Sequence, residues 1–117
     1  DFSSHINVYD KIDLCLDTFP YNGVTTTIEA LWKNVPVLTK GGYNFNSRCG
    51  ESINKNLGIE NLIAKSSEEY VLRAVDLANN QDKFLKLRKF VYRNALNTPL
   101  FDAQKFSKNF YDYLKKL

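Results

Sequence analysis

Three short apolar runs separated by helical patterns fill the first 64 residues, and after them the chain carries helical periodicity alone. The first run, Ile12 to Leu16, leads into Asp17-Thr18-Phe19-Pro20-Tyr21-Asn22-Gly23, a stretch of turn-forming types, and reads as a buried strand entering a loop. Residues 25–33 then space Ile28, Ala30, Leu31 and Trp32 as the apolar stripe of a short helix, with Trp32 expected in the core and Asn34 ending it before Pro36. A β-branched run, Val35 to Thr39, stops at Gly41-Gly42 and predicts a second buried strand. Helical spacing from about Asn46 to Leu57 closes at Gly58, and Leu62-Ile63-Ala64 predicts a third strand.

The remainder is read as helices. Ser66 and Glu69 have the spacing of a capping box, and the helix they open is expected to reach about Asn79. Residues 82–96 place Phe84, Leu87, Phe90 and Val91 on one face, and Asn97-Thr98-Pro99 breaks that helix. Asp102 can cap the last one, whose Phe106, Phe110, Tyr113 and Leu117 are expected to bury one stripe. This order predicts an α/β fold: a partial Rossmann-like parallel sheet of about three strands with a helical C-terminal tail. A single domain over residues 1–117 is expected, with an α/β part at 1–64 and a helical part at 65–117. Open parallel sheets commonly use more strands and cover both faces, so the chain is expected to be part of a larger doubly wound domain, with nothing regular before Ile12. A sheet edge and apolar surface left uncovered would favour self-association.

Composition narrows the function classes. With 44% hydrophobic and 25% charged residues, and Gly plus Pro at only 8 of 117, the chain is neither disordered nor fibrous. No apolar run approaches the ~18 residues of a spanning helix and no secretory signal precedes the first strand, so a soluble cytoplasmic protein without a membrane partner is expected. Cys15 and Cys49 have no zinc or disulfide spacing and are expected as reduced thiols. Residues 1–59 carry five basic and six acidic groups and residues 60–117 eleven and seven, a net −1 and +4. The basic residues are mixed with acids on helical faces, which argues against a nucleic-acid partner.

In open α/β sheets ligands gather beyond the carboxyl ends of the strands, which directs attention to the loop after Leu16. There Asn22-Gly23-Val24-Thr25-Thr26-Thr27 runs straight into a helix, where uncapped amides attract anions. Gly23 permits close backbone approach, threonine hydroxyls add donors, and Glu29 one turn on can accept from the two hydroxyls of a ribose. Together these residues describe a nucleotide diphosphate site. The same residues also allow a purely local reading, toward which spacing alone leans: Thr26 and Glu29 as a capping box, Asn-Gly as a turn. No phosphate-loop glycine pattern, nucleophile set or metal-ligand spacing accompanies them. His5, the sole histidine, either lies on the surface, which the residues alone favour, or stacks on a base. Arg48 can reach a phosphate or cap local carbonyls.

The stretch Asp13 to Trp32, continued by Val35 to Thr39, Ser47-Arg48, Gly58, Glu69-Tyr70 and Pro99 to Asp102, resembles the O-GlcNAc transferase family, including its bacterial members linked to tetratricopeptide repeats. The resemblance covers nearly the whole chain. It implies the distal part of the C-terminal, donor-binding lobe of a GT-B glycosyltransferase, acting on UDP-GlcNAc or another UDP-sugar and on Ser or Thr hydroxyls of an acceptor protein. No cofactor or metal is implied. It also implies that Val24, Thr25 and Thr26 hold the donor diphosphate together with Asn22 and Gly23, that Glu29 takes the ribose, and that His5 packs on uracil. Val24 stands where a histidine often precedes the two threonines, and Phe2 and Val8 stand where the animal enzyme carries basic residues. Residues that support the reaction lie outside this stretch in the family, so the chain alone is expected to be inactive. A non-catalytic structural or interaction module that retains the fold is the alternative.

Overall fold

The computed structural model describes residues 1–117, except for the side chain of Phe2. Six α-helices are described: α1 (Phe2–Val8), α2 (Thr25–Trp32), α3 (Cys49–Leu57), α4 (Ser67–Asn79), α5 (Gln81–Asn94) and α6 (Ala103–Leu114). Three strands, β1 (Cys15–Leu16), β2 (Val37–Lys40) and β3 (Ile63–Ala64), form one parallel sheet in the order β1-β2-β3. Cys15 pairs with Val37 and Leu16 with Leu38 on one side, and Thr39 pairs with Ile63 and Lys40 with Ala64 on the other.

Strand β2 is central and buried, and its alternation splits the interior in two. Leu38 points into a cluster with Leu31, Ile53, Leu57, Ile59, Leu62, Leu77, Leu87 and Val91, whereas Val37 points to the opposite face with Tyr9, Ala30 and Val35. Asn54, fully buried in α3, donates through Nδ2 to the carbonyls of Val37 (2.9 Å) and Leu62 (3.3 Å) and so ties β2 to the turn that precedes β3.

Local chemistry sets the helix ends. Gly58 closes α3 at φ +80°, a left-handed conformation that a Cβ would penalise, and Asn34 adopts φ +63° just beyond α2. The Ser66 hydroxyl accepts from the Glu69 amide, but the Glu69 carboxylate takes the amide of Lys65 rather than that of Ser66, so the reciprocal bond is displaced by one residue. Asp102 accepts from the Lys105 amide at the start of α6.

Four expectations are corrected. The segment before Ile12 is regular: α1 is followed by a 3-10 turn at Tyr9–Lys11, and Asp1 caps α1 by accepting from the Ser3 amide. Trp32 is 58% exposed because the α2 face that meets the sheet is carried by Thr27, Ala30 and Leu31, placing Trp32 outside that arc. In α6 no residue is buried: Phe106, Phe110 and Tyr113 remain exposed, as does Leu117 beyond its end, with Phe106 and Phe110 stacked on each other, because no α6 residue joins either core cluster. The first strand is also shorter than expected, since Ile12 to Leu14 form no ladder and pairing begins at Cys15. Among the described residues no helix is long and apolar enough to cross a membrane.

Candidate functional site

The loop between β1 and α2 leaves the carboxyl edge of the sheet and is fastened at nearly every residue. Asp17 anchors it. Its amide donates to the Leu38 carbonyl (2.9 Å), extending the β1–β2 ladder. One carboxylate oxygen accepts the Gly23 amide (2.8 Å) and the other the hydroxyl of fully buried Thr39 (2.6 Å). Its carbonyl accepts from the Tyr70 hydroxyl (2.8 Å), which brings α4 to the same point. Burial, and then the nearby Asp17 charge, raise the Tyr70 phenol above its ordinary value.

Asn22 is 1% exposed and its side chain is fully engaged: Nδ2 donates to the Thr18 carbonyl (2.8 Å) and Oδ1 accepts the Gly50 amide (3.3 Å). Its role is therefore to hold the loop against α3. At Gly23 a Cβ would run into the Thr26 hydroxyl and lie 3.2 Å from the Thr27 hydroxyl, so glycine lets the loop close onto the helix start. Thr27 donates back to the Gly23 carbonyl (2.9 Å).

What remains open is the first turn of α2. Val24 occupies the N-cap position, and no side chain caps the helix. The first intrahelical bond runs from the Ile28 amide to the Val24 carbonyl, which leaves the preceding amides without an intrahelical partner. Among the described residues, the hydroxyls of Thr25 and Thr26 make no hydrogen bond, and both residues are exposed. The turn borders two recesses: one of about 550 Å³ reaching from Val24 to Tyr43, Phe45 and Arg48, and one of about 170 Å³ between Thr26, Gly23, Asp17 and Tyr9. The physical result is a donor-rich helix end set on a rigid support, suited to an anion.

Glu29 settles the capping-box alternative. Its Oε2 accepts from His5 Nε2 (2.9 Å) and from the Tyr9 hydroxyl (3.4 Å), so the carboxylate faces α1 and does not cap α2. His5 is exposed and meets the Tyr9 ring edge-on, with ring centres 5.7 Å apart. Burial foremost, and then the Glu29 charge, raise the Tyr9 phenol above its ordinary value. Arg48 lies across the larger recess and pairs with Glu51 (3.4 Å). Cys15 and Cys49 are free thiols, and burial raises that of Cys15.

The structure thus brings His5, Gly23, Val24, Thr25, Thr26 and Glu29 around one helix end and turns Asn22 inward as support. Val8 is exposed on α1, while the expectation for the Phe2 side chain lies outside what is described. Sequence reasoning assigned no role to Asp17, Tyr9 or Thr39, and it counted Thr27 among the donor threonines, whereas the Thr27 hydroxyl is spent on the Gly23 carbonyl. For Asp17 a signal existed: a carboxylate at the end of an apolar strand, six residues before an Asn-Gly turn glycine.

Known proteins resemble this chain in sequence and in fold. The model of Glycosyl transferase family 41 matches residues 3–110. A probable UDP-N-acetylglucosamine–peptide N-acetylglucosaminyltransferase SPINDLY of Solanum lycopersicum is 40% identical over 105 residues, covering 90% of this chain and 11% of the relative. A UDP-N-acetylglucosamine–peptide N-acetylglucosaminyltransferase of Caenorhabditis elegans is 32% identical over 113 residues, 97% of this chain and 10% of the relative. A lysine-to-methionine variant of Thermobaculum terrenum O-GlcNAc transferase superposes with a TM-score of 0.75 at 35% identity, over 78% of this chain and 18% of that one. The chain spans about a tenth of the length of the curated relatives it matches. Its parallel sheet and flanking helices are those of the GT-B catalytic lobe of such a transferase. The match of the family model from residue 3 to residue 110, over a fold shared at this level, establishes that the chain belongs to glycosyl transferase family 41.

Proposed function

We propose that this chain forms the donor-binding part of a glycosyltransferase that transfers GlcNAc or a related sugar from a UDP-sugar to Ser or Thr hydroxyls of a protein. The observation that carries the reading is the uncapped first turn of α2, whose amides and Thr25 and Thr26 hydroxyls stay unpaired among the described residues, while Asp17, Asn22 and Gly23 in the loop before it are held by hydrogen bonds. A diphosphate seated there would satisfy donors that otherwise face water. Because Asp17 and Asn22 already fix the loop, little ordering would be required on binding.

In the transfer step negative charge grows on the departing diphosphate, and amides and hydroxyls held in place stabilise that charge more than they stabilise the intact donor. In this reading Glu29, one turn further along α2, takes the ribose hydroxyls, and His5, which is hydrogen-bonded to it, packs on the face of the base. Val24 presents an apolar side chain at the helix start, so phosphate contacts at that position come from backbone and from the two threonines.

Calorimetric titration of the chain with UDP, UMP and uridine tests the reading. Affinity is expected to rise with each phosphate, and Thr25→Val or Thr26→Val to weaken UDP roughly tenfold through a lost bond to a charged acceptor while leaving uridine unaffected. Equal affinity for UDP and uridine would favour a module that keeps the fold without using the helix end.

A further inference from the structure

Tyr9 carries a geometry that neither the family match nor the diphosphate site requires. Its ring is buried with Ala30, Val35 and Val37, locked between the segment that follows α1 and the sheet, at 7% exposure. Its hydroxyl reaches the first turn of α2, where the single phenolic proton lies between the Thr26 carbonyl (3.2 Å) and Glu29 Oε2 (3.4 Å). His5 supplies a second donor to that same carboxylate oxygen at 2.9 Å. Glu29 Oε1 accepts no hydrogen bond among the described residues.

A glutamate on a helix surface ordinarily samples several rotamers, and holding one conformation for a ligand costs entropy at the moment of binding. Here the carboxylate is gripped through one oxygen by two residues on the far side of β1 in the chain, and the other oxygen is left as an acceptor. The 1,2-diol of a ribose offers two adjacent hydroxyl donors of the kind such an oxygen takes. We propose that Tyr9 is a positioning residue that orients Glu29 for the ribose diol and thereby sets discrimination between ribonucleotide and deoxygenated nucleotide donors. This inference rests on the nucleotide reading above. Tyr9 touches Glu29 and the α2 backbone, not the reacting atoms.

The test is a ratio that a purely structural role would not move. The chain is titrated calorimetrically with UDP and with 2′,3′-dideoxyuridine diphosphate, as wild type and as Tyr9→Phe. Wild type is expected to prefer UDP by roughly tenfold, the scale of one hydrogen bond to a carboxylate. Tyr9→Phe keeps the buried ring and is expected to weaken UDP about three- to tenfold while leaving the dideoxy analogue within about twofold. Glu29→Gln is expected to abolish the preference, and adding Tyr9→Phe to it to cause no further loss for UDP. Equal weakening of both ligands by Tyr9→Phe, an unchanged ratio, or full additivity with Glu29→Gln would overturn the inference. Should Tyr9→Phe fail to fold, the wild-type chain still decides: UDP, and not the dideoxy analogue, should shift the Tyr9 ring carbon that bears the hydroxyl, and identical shifts would count against it. Binding of neither nucleotide to folded wild type would instead remove the nucleotide reading itself, and with it this inference.

Discussion

Replacing Asp17 probes the support on which the candidate site stands. Its carboxylate accepts from the Gly23 amide at 2.8 Å and from the Thr39 hydroxyl at 2.6 Å, and each bond to an ionised acceptor contributes about 1.5–3 kcal/mol net. Asp17→Ala removes both. Thr39 is fully buried and cannot turn to water, whereas the half-buried Gly23 amide recovers part of its loss by hydration. The expected cost is therefore about 3–4 kcal/mol, toward the lower end of the two bonds summed. Asp17→Asn keeps an oxygen for Gly23 and turns an amide group toward Thr39, exchanging charged bonds for neutral ones at a cost of about 1–2 kcal/mol. Urea unfolding reads both values: with a slope of about 1.5–2 kcal/mol/M, the alanine variant should lose roughly 2 M in midpoint at unchanged slope. Thr39→Val should cost less in an Asp17→Ala background than in wild type. A loss below about 1 kcal/mol for Asp17→Ala, or equal losses for alanine and asparagine, would refute the assignment of Asp17 as the anchor.

Other expectations follow from single features. The sole tryptophan, Trp32, is 58% exposed, so native emission should resemble solvated indole and be quenched freely by iodide, and a blue-shifted, protected emission would contradict its placement. Glu51 sits below the ordinary carboxylate range, chiefly through its hydrogen bond from Lys55, with burial opposing and the Lys55 and Arg48 charges assisting. A carboxyl depressed in the folded state stabilises the fold above its unfolded value, and that contribution is lost as pH falls through the ordinary range towards the lower folded value. The difference in urea midpoint between wild type and Glu51→Gln should hence be present near neutrality and vanish in acid, and a difference independent of pH would argue against the pairing. Helix α6 buries none of its residues, so its amides should exchange with solvent well before those of β2, and equal protection would contradict its separation from the core.

Features governed by short-range chemistry were legible in the sequence. Gly58 closes α3, Ser66 and Asp102 cap their helices, and the apolar runs form a parallel sheet, because each depends on neighbours within about one helical turn or on strand burial. What periodicity does not determine is whether a partner surface meets an apolar stripe. The pattern of α6 is as amphipathic as that of a core helix, yet none of its residues joins the core, and Trp32 belongs to a helix whose buried arc is narrower than its apolar one. The candidate site divides similarly. Its open helix end was readable from Asn22-Gly23 and the threonines, whereas the orientation of Glu29 depends on His5 and Tyr9, 24 and 20 residues away in sequence, and the loop anchor depends on Thr39, 22 residues beyond Asp17. Contacts at such separations leave no local spacing to read.

In the proposed function the first turn of α2 receives a diphosphate. The most direct measurement is a titration of UDP into the ¹⁵N-labelled chain, followed residue by residue in amide spectra. Saturable shifts are predicted to be largest at the amides of residues 24–27, with smaller ones at Glu29 and His5. A well-dispersed spectrum in which those amides stay unmoved at saturating UDP, or in which the largest shifts fall elsewhere, would contradict it.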